Sequence, residues 1–266
     1  MNTETPAASK AFRARRWLLK ILLGLIILAP LWFMIAALGY KWGWWDLGFS
    51  FGTMTRNIGP KLLMGTAFLG LIGLVLAFIV QPRKGFVVSL LAIMVPVLGL
   101  GHASKIRAKA QNLPFIHDIT TDTQNPPMFT EAIMSERNQV EGVNTVDYIG
   151  KMDPLGKELV SVLQSKGYPD ISSLVLSDSP DVAFGEAKSA AKTLGWDIKS
   201  ENVDAGILEA TETTFWYGFE DDIIIRIAPS EGGGSVVDIR SISRIGGSDI
   251  GANAARIREF LEIMRR

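Results

Sequence analysis

The side chains able to do chemistry are concentrated between Phe215 and Arg256, in the run FWYGFEDDIIIRIAPSEGGGSVVDIRSISRIGGSDIGANAAR. Acids and arginines are set into two apolar β-type runs, Ile223–Ala228 and Ser235–Ser243, which flank a Gly-rich turn. Asp221 and Asp222 could supply a general base or bind a cation, the chemistry of an envelope hydrolase. Successive residues of a strand point to opposite faces, however, so two adjacent acids make no simple paired-carboxylate site. Arg240, Arg244 and Arg256, near a Gly-rich turn and a helix start, would suit an anionic ligand or a lipid headgroup. The third reading is architectural. Alternation places Asp222, Ile224 and Arg226 on one face, and Asp238, Arg240 and Ile242 on one face of the next strand. Arg244 leaves that strand near the turn into the last helix, where Ser248 or Asp249 can accept backbone N–H bonds. Asp221, Asp222, Arg226, Arg240, Arg244, Asp249, Asn253 and Arg256 are therefore the candidate binding set. An acid–arginine network joining sheet edge, turn and helix is the preferred account of them, because an unpaired buried charge is strongly unfavourable.

Other chemistry has little support. His117, Asp118 and Asp122 lie close together and could bind a metal, but nothing elsewhere supplies a clear further ligand, and a capped turn is the simpler reading. There is no cysteine, which excludes disulfides, thiolate zinc sites and a cysteine nucleophile. The chain has no G-x-S-x-G elbow, P-loop, H-E-x-x-H or convincing dinucleotide motif. No catalytic residue, metal or cofactor is assigned.

Positioning these residues falls to two different kinds of sequence. Hydrophobic residues make up 48% of the 266, and mean hydropathy is +0.23. The apolar excess lies before Gly101. Up to that point 10 Lys and Arg stand against 2 acids, Glu4 and Asp46; from His102 on, 17 stand against 25. The net charge of zero thus hides a basic first part and an acidic second part. Phosphate-backbone binding needs clustered positive charge, so nucleic acid is not an expected partner.

A basic tail, residues 1–16, precedes a membrane module, residues 17–101. Its first ten residues read as polar and disordered. Three apolar runs, 17–38, 62–80 and 86–101, read as spans; the first is long enough to cross a hydrocarbon core of roughly 30 Å at about 1.5 Å per residue. Pro30 would kink the first, and Pro96 interrupts the short third. The segment Gly39–Pro60 reads as a loop whose Trp42, Trp44, Trp45, Phe49 and Phe51 form an interfacial belt. Thr66, Gly70, Gly73 and Ala77 recur at helical spacing, a small-residue stripe suited to close helix packing in lipid. Three spans put the chain ends on opposite sides. Lys10, Arg13, Arg15, Arg16, Arg83 and Lys84 then share one face, and Lys41, Arg56, Lys61, Lys105, Arg107 and Lys109 the other. The two groups are equal in number, but the dense cluster before the first run favours an inside N-terminus and an extracytoplasmic second part.

Residues 102–266 read as an α+β domain of two layers, helices packed on one side of an antiparallel sheet, with 215–256 as its core signature. Ser104–Asn112 suggests a short amphipathic helix, and Leu113–Phe129 an extended, turn-rich arm. Met152–Lys166 predicts a helix capped by Asp153 and stopped by Gly167, with Leu155, Leu159 and Val162 on one side. A strand, Ser173–Leu176, precedes a helix capped by Ser179, opened by Pro180 and ended at Gly195. The period then changes to alternation: Trp196–Glu201, Ile207–Thr214, Asp222–Ala228 and Ser235–Ser243 read as consecutive antiparallel strands, followed by a helix over Asp249–Met264.

The signature F-x-DD-x-x-x-R, then RS-x-SR-x-G-x-SD-x-G-x-N-x-x-R, resembles the family known as domain of unknown function 1499. It is carried by Phe219, Asp221, Asp222, Arg226, Arg240, Ser241, Ser243, Arg244, Gly246, Ser248, Asp249, Gly251, Asn253 and Arg256, with Tyr168–Ile171 upstream. The resemblance covers about the last 150 residues. It implies a fold and, since members often carry export or membrane signals, a domain outside the cytoplasm. Many relatives carry a cysteine pair near the domain start, where this chain has Ile119–Phe129; a role tied to that pair does not carry over. The expectation is a membrane-anchored accessory or binding module of a bacterial-type envelope. It would reside in the inner or plasma membrane, with the lipid bilayer and an envelope protein or anionic ligand as partners.

Overall fold

A computed structural model describes residues 6–266, with side-chain surroundings from Lys10 onward. The chain divides into two compact units: one up to Arg107 together with Trp216–Gly218, the other Ala108–Phe215 together with Phe219–Arg266.

The first unit is helical almost throughout. Helix α1, Pro6–Lys41, starts earlier than expected, so residues 6–16 are helix and not an irregular tail; residues 1–5 of that expected tail lie outside the described residues. Pro6 fits a first helical position, and the Ala, Lys and Arg that follow are good helix formers. The helix continues through Pro30. The expected loop at Gly39–Pro60 is largely helical too. An 11-residue π-helix, Gly48–Ile58, runs directly into α2, Gly59–Ile79. Its Gly, Ser, Thr and Asn residues read locally as loop, but tertiary bonds hold the turns. Ser50 Oγ donates to the Ala36 carbonyl at 2.6 Å, and Trp32 Nε1 donates to the Met54 carbonyl at 3.0 Å. Helix α3, Phe86–Gln111, passes through Pro96 and absorbs the separate helix expected at Ser104–Asn112. Three helical segments, Lys10–Lys41, Gly48–Ile79 and Phe86–Gln111, are long and apolar enough to cross a membrane.

Packing within this unit follows the small residues. A Cβ on Gly70 would lie 3.1 Å from the Ala92 Cβ, and one on Gly73 would lie 2.7 Å from Ser89 Oγ and 2.9 Å from Leu22 Cδ1. The stripe on α2 therefore seats α3 and α1 of the same chain. Arg15 is buried and donates to the carbonyls of Val80 (2.5 Å) and Pro82 (2.7 Å), satisfying acceptors at the end of α2 that no helical N–H reaches.

The second unit is built on an antiparallel sheet of order β1-β6-β5-β4-β3, with β2 also paired to β6. Strands β3 (Asp197–Asn202), β4 (Ile207–Thr213), β5 (Glu220–Pro229) and β6 (Ser235–Ser243) form the expected meander. Short strands β1 (Asp118–Thr120) and β2 (Leu174–Leu176) lie along different stretches of β6, opposite 240–242 and 235–237. The β3–β4 turn needs glycine: Gly206 has φ +65°, and a Cβ there would stand 2.0 Å from the Ile227 carbonyl oxygen.

Both faces of the sheet are covered. On one, Ile223, Ile225, Ile227, Val237 and Ile239 pack with Phe184, Ala187 and Ala191 of α6 (Pro180–Thr193) and with Ile257, Phe260 and Leu261 of α7 (Ala252–Met264). On the other, Ile224 and Ile242 are closed by Phe129 and by Ile133 of α4 (Glu131–Arg137), a helix the sequence reading missed. Three boundaries need correction. Helix α5 spans only Val160–Gly167. Asp153 does not cap it; its Oδ1 accepts from the Lys157 N–H at 2.6 Å and closes a turn, while Met152 bridges to Leu159. Gly167 is no left-handed stop but a close approach, where a Cβ would meet Pro114 Cγ at 2.7 Å. Helix α7 begins at Ala252 and not Asp249, because Ile250 (φ +53°) and Gly251 (φ +78°) interrupt the helical path.

With two cores of its own, the second unit should fold without the first. A fragment of residues 108–266 in detergent-free buffer is expected to give one cooperative thermal transition by circular dichroism. An insoluble fragment, or a melt without cooperativity, would show that the sheet depends on the helices before it.

Candidate functional site

The register of β5 on β6 pairs Asp222 with Ile242, Ile224 with Arg240 and Arg226 with Asp238. Side chains of these residues share the face that α4 covers, and the charged ones form three neighbouring clusters. Asp222 is fully buried. It accepts from Arg244 Nη2 (2.8 Å) and Nε (2.9 Å), Arg137 Nη1 (2.6 Å) and Thr211 Oγ1 (2.8 Å). Arg244 also reaches Glu220 at 2.6 Å and Glu136 at 2.9 Å. Burial alone would depress the Arg244 guanidinium, but Asp222, Glu136 and Glu220 outweigh it and hold it above its ordinary value. For Glu136, burial pushes up, while bonds from Arg244 and Lys199 pull the carboxyl below its usual range.

Arg240, also fully buried, donates from Nε (2.9 Å) and Nη2 (2.8 Å) to the two oxygens of Asp118, the bidentate geometry that carboxylates favour. Its remaining donors meet the carbonyls of Pro127 and Val146, and the rings of Phe129 and Tyr148 lie 5.6 and 5.5 Å away. Arg226 pairs with Asp238 at 2.8 Å and Asp122 at 3.1 Å.

The opposite face carries the fourth cluster. Asp221 accepts from Arg256 Nη2 at 2.7 Å; Arg256 also meets Glu212, Ser241 and Asn253. Asn253 Nδ2 donates to the His117 carbonyl at 2.9 Å and to Ser243 Oγ at 3.1 Å, tying α7 to the strands. Asp249 accepts from the N–H groups of Gly251 and Asn253, both at 2.8 Å, so its own carboxylate occupies the start of α7.

Asp221 and Asp222 thus stand on opposite sides of the sheet, as strand alternation requires. Arg240, Arg244 and Arg256 are brought to separate partners, and Arg244 turns to β5 and α4 instead of the helix start. The partners overlooked in the sequence are Glu136, Arg137 and Glu212, plus Asp118 and Asp122, which the sequence suggests only as metal ligands or as the caps of a turn. Glu209 is fully buried in β4 and accepts from the Thr130 N–H at 2.6 Å and Ser200 Oγ at 2.8 Å. One signal was available: four arginines on or beside a buried sheet demand acids from elsewhere in the chain.

His117, Asp118 and Asp122 do not converge. Asp118 faces Arg240, and Asp122 caps a turn through the N–H groups of Gln124 (3.0 Å) and Asn125 (2.9 Å). Among the described residues no group of three or more His, Asp or Glu is disposed to hold a metal ion. His117 lies 3.5 Å from Lys151 Nζ; burial, then that cation, hold the imidazole below its ordinary value. What this arrangement does chemically is fix positions. Each of the four signature guanidiniums is matched by carboxylates from other elements, so the layer specifies strand and helix placement.

The sequence profile of a family described as protein of unknown function (DUF1499) matches residues 118–264, from β1 to the end of α7. No curated protein matches the chain.

Removing one member of a buried ion pair costs about 3–5 kcal/mol. Arg244→Ala is expected to destabilise the second unit by that amount in a denaturant titration. A wild-type midpoint would end the structural assignment and make the arginine a ligand group. Acid should also act in two stages. His117 is more acidic folded than unfolded, so its contribution is complete above about 6.5 and falls as pH drops towards the lower folded value. Glu136 and Asp122 are held ionised below the usual carboxylate range, so their contribution, complete above that range, is lost as pH falls through the depressed values. Both act in the same direction. Melting temperature should fall on acidification from neutral, and His117→Asn should flatten only the upper stage.

Proposed function

The chain belongs to the DUF1499 family, and from that premise we propose that it is a membrane-anchored, non-enzymatic accessory or binding module of the cell envelope. The observation that carries this reading is the internal pairing of the signature. Asp221, Asp222, Arg226, Arg240, Arg244, Asp249, Asn253 and Arg256 all bond to other groups of the same domain, and Arg240, Arg244 and Arg256 are buried. An acid–base pair for hydrolysis would need Asp221 and Asp222 on one side of the sheet, facing a substrate. An anion site would need guanidiniums with donors to spare. Recognition then falls to the surface this scaffold presents, with an envelope protein as the favoured partner over an anionic ligand.

Anchoring rests on the three helical segments long and apolar enough to cross a bilayer. The dense basic cluster before the first span supports an inside N-terminus, and three crossings from there would leave the sheet domain outside the cytoplasm. Alkaline phosphatase fused after Arg266 should therefore be active and a fluorescent protein at the same place dark. The reverse pattern would put the domain inside. The reaction class has its own test. Asp221→Asn and Asp222→Asn should weaken the cellular phenotype only as far as they lower protein abundance. Loss of the phenotype at wild-type abundance would make the chain an enzyme that uses these acids. Purification in mild detergent and identification of what co-purifies would name the partner.

A further inference from the structure

The second unit carries an apolar surface that its folding does not use. Phe115, Ile149, Met152, Leu155, Leu159 and Val162 are each between 36% and 64% exposed. Five of them fall within residues 149–162, and the fold brings the sixth, Phe115, to the same stretch. Met152 and Leu159 face each other across a bridge, and Val162 follows one helical turn after Leu159. Phe115 and Pro154, the residue before Leu155, both come within 3.4 Å of one point beside Gly247. The loop that presents them is preformed. The Asp153 N–H donates to the Glu158 carbonyl, the Val160 N–H to the Lys151 carbonyl and the Gly156 N–H to the Asp153 carbonyl, each at 2.8 Å. The Asp153 carboxylate closes the same turn from within. An apolar surface held in a fixed shape outside the core marks something the protein meets.

We infer that this patch is a lipid-contacting surface, seated in the headgroup layer of the membrane that the three helices cross. The covalent tether selects that occupant. Phe115 follows the last residue of α3, Gln111, after three intervening residues, so it lies within about 14 Å of that helix end at roughly 3.3–3.6 Å per residue. Charge agrees. Lys105, Arg107 and Lys109 are exposed on the last turns of α3, and Lys157 is exposed two residues beyond Leu155, while Glu158 is engaged by Lys166. Anionic headgroups attract such cations. The rest of the unit is acidic and has no such attraction to an anionic bilayer. The inference rests on the membrane reading of the helices, which the experiment checks separately.

The chain has no cysteine, so a single introduced thiol takes a single probe. Full-length Leu155→Cys, Ile149→Cys, Val203→Cys and Leu71→Cys variants would carry an environment-sensitive fluorophore in vesicles of phosphatidylethanolamine and phosphatidylglycerol. Val203, 52% exposed on the β3–β4 turn, is the matched control, and Leu71, exposed on α2, reports the spans. Probes at Leu155 and Ile149 are expected to be quenched several-fold more than the Val203 probe by spin-labelled lipid, and less by aqueous iodide. Free access of iodide with no lipid quenching, while the Leu71 probe is quenched, would overturn the inference and leave the membrane reading intact. No lipid quenching at Leu71 would overturn both. Protection from iodide without lipid quenching would assign the patch to a second copy of the chain, and would overturn it as well.

Discussion

Asp222 sits on central strand β5 with no solvent exposure, and two guanidiniums and a hydroxyl converge on it. A carboxylate in that position is tolerable only while those partners stay. They come from α4 (Arg137), β4 (Thr211) and the end of β6 (Arg244), so one buried charge fixes the meeting of four elements. Replacing such a cluster with apolar groups of matched volume is often neutral or favourable for stability. What a fully satisfied polar cluster adds is a restriction on which arrangement can form, because a strand shifted by one residue would leave every charge in it unpaired.

How much of this could be read in advance depended on the range of the interaction. The strands from Asp197 to Ser243 and helix α6 were legible because alternation, Pro180 and Gly195 are local signals, and the sheet obeyed them. The separation of Asp221 from Asp222 was legible for the same reason. Helix α4 was not, since Glu131–Arg137 is short and owes its place to Ile133 under the sheet and Arg137 on Asp222. The spacing of Leu155 and Leu159 mimics the buried stripe of a helix, yet both residues are exposed on a turn shaped by Asp153. Signature arginines could be recognised as needing acids, but which acids was set by pairings more than 100 residues apart in sequence, Arg244 with Glu136 and Arg240 with Asp118.

The first unit follows the same logic with different materials. Its π-helix is made of residues that locally favour a loop, and bonds from Ser50 and Trp32 to distant carbonyls offset that preference. Gly70 and Gly73 let helices approach where any side chain would collide. At the open edge of the sheet, β3 protects the second unit by charge: Asp197, Lys199 and Glu201 alternate along it, and the register shifts between Ile198 and Ser200. Such an edge is a poor template for another strand.

The bond between Asp118 and Arg240 joins residues 122 positions apart, both without solvent exposure. Changing either residue alone passes through a state with a lone buried charge, whereas changing both at once need not be unfavourable. Mutational drift at these two sites is therefore blocked in single steps and open in double ones. Across related sequences the two positions should be inherited as a unit, and replaced as a unit in any lineage that has found a neutral core.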